Sequence, residues 1–188
     1  MVQHVELSGT RIKVVVNEDL SITVLKQDGQ SVWESSRAVT PVAVVRHGER
    51  EPCTVPLAKC ADTSVSAFTD GAYRGHKVRL AGICGTDAIV EVSFGLDAGT
   101  DELMCQVEQV GGEDVVVSVE HVYRFEKPVG EGGYIVLPHG SGYLIPADCS
   151  DEMPGEGFVG GRIGGRWTLP LFGMVKGSES LVAIADTW

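Results

Sequence analysis

A histidine and a serine lie two positions apart in a short polar segment between two apolar runs. In YIVLPHGSGYLIP, His139 could act as the base that activates Ser141, since a serine hydroxyl needs a neighbouring base to become a nucleophile. The nucleophile elbow of hydrolases, however, has the form GxSxG and joins a strand to a helix. Gly140 and Gly142 suit a turn, because glycine has no Cβ to oppose positive φ angles. The segment therefore predicts a turn between two strands rather than a catalytic pair.

Three glycines further along fit the spacing GxGxxG of dinucleotide-binding proteins. Gly155, Gly157 and Gly160 occur in GEGFVG, and a nucleotide site would need them to join a buried strand to the start of a helix. The flanking segments CSDEMP and GRIGGRW fit neither element. We therefore predict a flexible loop, and no cofactor.

The five histidines are scattered, and none has the HxH or HExxH spacing of a metal site, so no metal is predicted. An aldose epimerase would need a histidine acid and a carboxylate base that face each other across a sheet. The candidates are His76 or His121 with Glu91, Glu108 or Glu120. Alternating strands always offer such pairs, so an epimerase remains an alternative only.

Four carboxylates, those of Asp148, Asp151, Glu152 and Glu156, cluster in one glycine-rich segment. Glycoside hydrolysis needs two carboxyl groups at a fixed separation, which rigid elements provide better than a loop. We interpret the four as solvated charges and predict no catalytic residue.

The elements that position these residues are strands. Apolar and polar residues alternate in runs such as RIKVVV, SITVLKQ, AIVEVSFGL and DVVVSVEHVYRF, and turn signals such as the Asp28-Gly29 pair separate them. No window shows a helical stripe, and 24 glycines with 8 prolines disfavour long helices. We predict an all-β fold with few or no helices: an antiparallel β-sandwich of two facing sheets, forming a single domain over 1–188. Residues 87–127 are predicted to form a three-stranded meander.

Charge and composition exclude some partners. Fifteen Lys and Arg against 26 Asp and Glu give a formal net charge of -11, which repels a phosphate backbone or an anionic bilayer, so neither nucleic acid nor a membrane is an expected partner. The beginning of the sequence lacks the pattern of a secretory signal, and no apolar run is long enough to span a bilayer. The expected location is soluble and cytoplasmic.

The five cysteines contain no CxxC pair, so neither a zinc knuckle nor a thioredoxin-like site is indicated. We expect free thiols in a reducing compartment rather than a disulfide framework. The strand-like run SLVAIADTW reaches the last residue, and we expect the chain to come from a longer protein.

The order of segments resembles a known family. DLSITVLKQDGQSVWES, VSVEHVYRFEKP, GGYIVLPHGSGYLIP and LPLFGMVKGSESLVAIADTW together are similar to the N-terminal β-supersandwich, of galactose-mutarotase-like fold, in some glycoside hydrolases. The comparison is with endo-α-N-acetylgalactosaminidase-like enzymes and related bacterial proteins. In that group a catalytic (β/α)8 barrel follows the sandwich.

The resemblance implies a non-catalytic accessory domain that packs against the catalytic barrel of the same chain and helps to shape its carbohydrate site. The barrel carries the acid and the nucleophile in that family, so no catalytic residue is expected here. The long loop over 147–167 would contact the carbohydrate or the barrel, because arginine offers paired donors and tryptophan a flat face. The candidates are Arg162, Arg166, Trp167, His139 and Tyr143. A self-contained carbohydrate-binding module remains an alternative, as does a structural domain without a ligand.

Overall fold

In the computed structural model, the described residues are 4–35, 40–120, 133–137, 143–146 and 171–184. The chain divides into two compact units, Met1–Glu126 and Lys127–Trp188. The described residues form strands and one short 3-10 helix, with no α-helix among them. The all-β part of the prediction is therefore confirmed.

The strands of the first unit are β1 (Val5–Ser8), β2 (Ile12–Val16), β3 (Ile22–Lys26), β4 (Ser31–Glu34), β5 (Val42–Arg46), β6 (Cys53–Pro56), β7 (Asp62–Asp70), β8 (Tyr73–Ala81), β9 (Ile89–Asp97), β10 (Glu102–Gly111) and β11 (Val115–Glu120). The 3-10 helix Ile83–Gly85 lies between β8 and β9. The strands of the second unit are β12 (Gly133–Leu137), β13 (Tyr143–Pro146), β14 (Leu171–Lys176) and β15 (Glu179–Ile184).

These strands form four small antiparallel sheets. The first has the order β1-β2-β3-β4, the second β10-β9-β8-β7 and the third β11-β5-β6, while the second unit holds the fourth, β13-β12-β14-β15. The prediction of one sandwich made of two facing sheets is therefore wrong. Alternation of apolar and polar residues identifies strands, but it contains no information on which strands share a sheet.

The first sheet follows the sequence pattern closely. Its inward positions, among them Val14, Val16 and Ile22, are fully buried. The predicted turn at Asp28-Gly29 is confirmed, since Gly29 has a φ of 87° and the Asp28 side chain accepts a hydrogen bond from the Gln30 N–H at 3.0 Å. A left-handed backbone of this kind favours glycine and closes the hairpin between β3 and β4.

The predicted meander over 87–127 is wrong in its last strand. Strands β9 and β10 do form a hairpin, but β11 leaves that sheet and pairs with β5. Gly112 redirects the chain between β10 and β11 with a φ of 88°, and a Cβ there would collide with the Asp87 backbone. The Asp87 carboxylate accepts hydrogen bonds from the Glu113 and Asp114 N–H groups at 3.0 Å and holds the turn in place.

The side chain of one aspartate joins the first sheet to the second through hydrogen bonds. Asp101, in the turn between β9 and β10, accepts hydrogen bonds from the Thr10 N–H at 2.7 Å and from Arg11 Nε at 2.8 Å. Burial acts to raise the pKa of the Asp101 carboxyl, but the Arg11 side chain and the backbone N–H donors outweigh it and lower the pKa below its usual value. The carboxylate therefore stabilises the contact in its ionised form.

Replacing Asp101 with alanine is expected to lower the free energy of unfolding by about 2 kcal/mol, because backbone donors lose their acceptor. Asp101 has a left-handed backbone with a φ of 60°. Asp101→Asn keeps an oxygen acceptor and tolerates this conformation, so its loss of stability should be smaller. The lowered pKa means that the stability from ionised Asp101 is present above the unfolded-state pKa of about 3.9 and is lost as the pH falls through the folded-state value. Urea unfolding from pH 7 to about pH 2 should show the wild type and Asp101→Asn converging. A pH-independent gap would contradict this account.

The cysteines differ from the expectation of free thiols. Cys53 of β6 and Cys84 of the 3-10 helix are joined by a disulfide, with Cα atoms 7.1 Å apart. Cys60 and Cys105 are free, and burial raises the pKa of Cys105 to about 12. Disulfides are commoner in oxidising compartments than in the cytoplasm, so the expected cytoplasmic location gains no support. Among the described residues, no helix has the length and apolarity needed to cross a bilayer.

In the second unit the two short apolar runs are confirmed as a strand pair. Strands β12 and β13 are antiparallel, with Tyr134 opposite Pro146 and Val136 opposite Leu144. Residues 138–142 lie outside the described residues, so the turn predicted for His139 and Ser141 stays a prediction. The same holds for the expected single domain and the barrel after it.

Candidate functional site on the second sheet

Most of the residues proposed from the sequence lie outside the described part of the chain. This applies to Arg162, Arg166, Trp167 and His139, whereas Tyr143 begins β13. The loop hypothesis is therefore untested. Among the described residues, a different group of polar and aromatic side chains lies on the second sheet.

The register of the second sheet excludes His76 as the acid that an epimerase would pair with Glu91 or Glu108. His76 pairs with Phe94, whereas Arg79 pairs with Glu91. Side chains of successive strand residues point to opposite faces, so His76 lies on the face opposite Glu91. Glu108 pairs with Glu91 and shares its face. His76 therefore cannot act with either glutamate across the sheet, and His121 lies outside the described residues.

One face of this sheet forms the core. It consists of apolar residues that are 0–2% exposed: Val78, Leu80, Val90, Val92, Phe94 and Leu96. The opposite face, called the outer face here, includes Phe68, Tyr73, Lys77, Arg79, Glu91, Ser93, Gly95, Glu102 and Met104 by register. The buried face fixes the sheet and thereby positions the outer face.

The outer face has a charged half centred on Glu91. Lys77 Nζ lies 2.8 Å from Glu91 Oε2, and Arg79 Nη1 lies 3.2 Å from Glu91 Oε1. The hydrogen bond from Lys77 lowers the pKa of the Glu91 carboxyl, and the one from Arg79 adds to this. Glu91 is thus held ionised between two cations, which makes it unsuited to donate a proton as a general acid.

The other half of the outer face is aromatic. A Cβ at Gly95 would lie 2.9 Å from Tyr73 Cβ, 3.1 Å from Phe68 Cε1 and 3.4 Å from Met104 Cε. Phe68, Gly75 and Gly95 are paired in one row across three strands. The Phe68 side chain therefore reaches across Gly75 and covers Gly95, an arrangement in which an aromatic ring protects a glycine within a sheet.

A polar group borders this aromatic cluster. The Tyr73 hydroxyl donates a hydrogen bond to the Glu102 carboxylate, which raises the pKa of Tyr73. The outer face thus combines half-buried aromatic side chains with fixed hydroxyl, carboxylate and ammonium groups. Such a combination suits a sugar, whose ring carbons stack on an aromatic plane while its hydroxyls bond to polar neighbours. The arrangement favours binding over catalysis.

Two further groups of polar side chains form structural hydrogen bonds. His47 Nδ1 lies 2.6 Å from Asp114 Oδ1, and the same carboxylate accepts a hydrogen bond from the Asp87 N–H at 3.2 Å. A cavity of about 470 Å³ lies beside the first sheet, where Asn17 Nδ2 bonds to Ser21 Oγ at 3.0 Å. Within the described ranges no three His, Cys, Asp or Glu side chains are grouped as metal ligands. The expected absence of a metal or cofactor stays a prediction.

The comparisons with known proteins bear on the fold. No protein-family model matches the chain, and no curated protein matches it. Solved structures of the alpha-N-acetylgalactosaminidase NagBb from Bifidobacterium bifidum do match. Its quadruple mutant aligns at 17% identity and a TM-score of 0.76, over 97% of this chain and 29% of that one.

Two ligand complexes of the same enzyme align over the same shares, 97% of this chain and 29% of that one. The Gal-NHAc-DNJ complex gives 16% identity and a TM-score of 0.77, and the GalNAc complex gives 15% and 0.74. Identities this low show a shared fold alone. The chain thus has the fold of one segment of a much longer glycoside hydrolase, and it spans about 29% of that enzyme's length.

Proposed function

We propose that this chain is a non-catalytic accessory domain of a glycoside hydrolase whose catalytic residues lie elsewhere in a longer polypeptide. One observation carries the proposal: 97% of the chain matches 29% of a glycosidase chain. The first substrates to test are α-N-acetylgalactosaminides, because the matched enzyme is named for that activity.

Three of the described carboxylates are suited to structural rather than catalytic roles. Glycoside hydrolysis needs one carboxyl group that stays protonated near neutral pH, which requires a raised pKa. The shifts resolved for Glu91, Asp87 and Asp101 all lower the pKa, through hydrogen bonds from cationic side chains or backbone N–H groups. These three groups are suited to structural roles rather than to proton donation.

Reading the gene beyond the codon for Trp188 tests the proposal. The expected result is an open reading frame of about 250 residues or more with alternating strand and helix patterns, the usual size of a (β/α)8 barrel. A stop codon directly after Trp188 would refute the accessory role. Assays of binding and mutarotation on this chain alone would then be the next step.

A self-contained carbohydrate-binding module is the second candidate, and the outer face of the second sheet favours it. In calorimetric titration of the isolated chain with galactosamine-containing glycans, Phe68→Ala should weaken binding about fivefold to tenfold, the loss of about 1 kcal/mol of stacking. Phe68→Tyr retains an aromatic plane and serves as the conservative control. Unchanged affinity in Phe68→Ala, with an unchanged unfolding midpoint, would show that the outer face is not the binding site.

Segment 147–167, predicted from the sequence to be a loop, is a further proposed contact with the substrate. Trimming it in the full-length enzyme is expected to raise KM more than it lowers kcat, because Arg162, Arg166 and Trp167 would bind the sugar without touching the reacting bond. Steady-state kinetics on a chromogenic glycoside measure both constants. Unchanged kinetics would exclude the loop from the substrate site.

A further inference from the structure

Away from the turn between β14 and β15, the sheet of the second unit is apolar on both faces. Leu144, Val136, Gly173 and Val182 are paired in one row across all four strands. Ile184 lies two residues beyond Val182 on β15 and points to the same face. We call Leu144, Val136, Val182 and Ile184 the apolar face.

Three side chains of the apolar face are strongly exposed. Leu144 is 61% exposed, Val182 is 62% exposed and Ile184 is 69% exposed. They belong to β13 and β15, the two edge strands of the sheet. Exposed apolar side chains therefore lie at both edges of the sheet, while Val136 between them is half-buried.

The opposite face of the same sheet is apolar as well. Met174 is buried there, and Ile135, Ile145 and Leu181 are half-buried. An antiparallel sheet with one face in water normally alternates apolar and polar residues, whereas a sheet covered on both faces has nearly continuous apolar strands. The strands of this sheet have the composition of a sheet that is covered on both faces. An uncovered apolar face beside an edge strand would also promote aggregation.

We propose that another domain of the same longer polypeptide packs on the apolar face. The inference rests on the accessory role proposed above. The length comparison argues for this occupant, since the chain corresponds to only 29% of the glycosidase chain that it matches. A second copy of the chain is a poorer occupant, because two molecules with a formal net charge of -11 repel each other.

Side-chain footprinting by hydroxyl radicals tests the proposal, with the 188-residue chain and the longer gene product labelled side by side. Labelling of Leu144, Val182 and Ile184 should fall at least fivefold in the longer product. Val117 of β11 is the internal control, because it is 51% exposed and lies in the first unit. Its labelling should change little.

A double variant of the longer product, Val182→Lys with Ile184→Lys, tests the same face by limited proteolysis. It should release the accessory domain at least tenfold faster than the wild type, while Val117→Lys should not. The same double variant of the 188-residue chain should keep its unfolding midpoint, since both side chains are exposed there.

The outcomes separate the two proposals. A longer product that cleaves glycosides but labels equally at Leu144 and Val182 would overturn the apolar-face inference and leave the accessory role standing. If the labelling of Val117 falls as much as that of Leu144 and Val182, the apolar-face inference is also overturned. A reading frame that ends at Trp188 would overturn both proposals. A concentration-dependent dimer that alone protects the apolar face would overturn only the apolar-face inference.

Discussion

Replacing Phe94 with alanine is expected to lower the free energy of unfolding by about 4 kcal/mol. Phe94 lies in β9, one of the two inner strands of the second sheet. It is 0% exposed and is the largest of the fully buried side chains. Its removal loses the transfer energy of the ring and leaves a cavity that the surrounding valines cannot fill. Urea unfolding followed by fluorescence or circular dichroism measures the change.

The matched control for Phe94 is Val107→Ala. Val107 lies on the same face of the neighbouring strand β10, but it is 39% exposed, so its truncation should cost less than about 1 kcal/mol. Similar losses of unfolding free energy in the two variants would show that the face opposite the outer face of the second sheet is not the main core of the first unit.

Removing the disulfide is expected to have the second largest effect. The double variant Cys53→Ser, Cys84→Ser should lose about 3 to 4 kcal/mol, because the bridge closes a long loop and restricts the unfolded chain. The two cysteines are 31 residues apart. Peptide mapping without reductant should find the peptides of Cys53 and Cys84 linked.

A reducing agent provides the control for the disulfide. With dithiothreitol the wild type should unfold at the same denaturant concentration as the double variant. A difference between the two proteins that persists under reduction would mean that the serines, rather than the lost bridge, destabilise the fold.

Local features of the sequence predicted local structure well. Alternating runs became strands, the Asp28-Gly29 pair became the turn between β3 and β4, and YIVLP with GYLIP became the pair β12 and β13. Each of these depends on residues that are close in sequence. Their side-chain periodicity and turn chemistry are therefore visible without a structure.

Strand pairing could not be predicted in the same way. Strand β11 joins β5 because Gly112 and the Asp87 carboxylate redirect the chain after β10. A single glycine with positive φ and hydrogen bonds between residues 26 and 27 positions apart leave no trace in the period-two pattern. This is why a sandwich with a long meander was predicted where four small sheets are found.

The candidate site was missed for a related reason. The composition of the sequence favours a contact loop over 147–167, whereas the outer face brings together Phe68, Tyr73 and Met104 above Gly95. These residues come from four strands and become neighbours only through register. One signal was present, since a glycine inside a strand such as Gly95 often marks a close approach of other groups.

The resemblance to a glycoside hydrolase domain was the most informative part of the sequence, and the fold comparison agrees with it at a coarse level. The matched structures belong to a glycosidase. The narrower predictions of a mutarotase-like family and of a carbohydrate contact stay predictions, because low identity shows fold alone. The β-supersandwich that the resemblance implies is wrong, since the described strands form four small sheets.

The most direct test is an activity assay that compares the full gene product with the 188-residue chain on chromogenic glycosides. The proposed accessory role predicts hydrolysis by the full product and none above background by the 188-residue chain. Hydrolysis by the 188-residue chain alone, abolished by a substitution within it, would place catalysis in this chain and contradict the account.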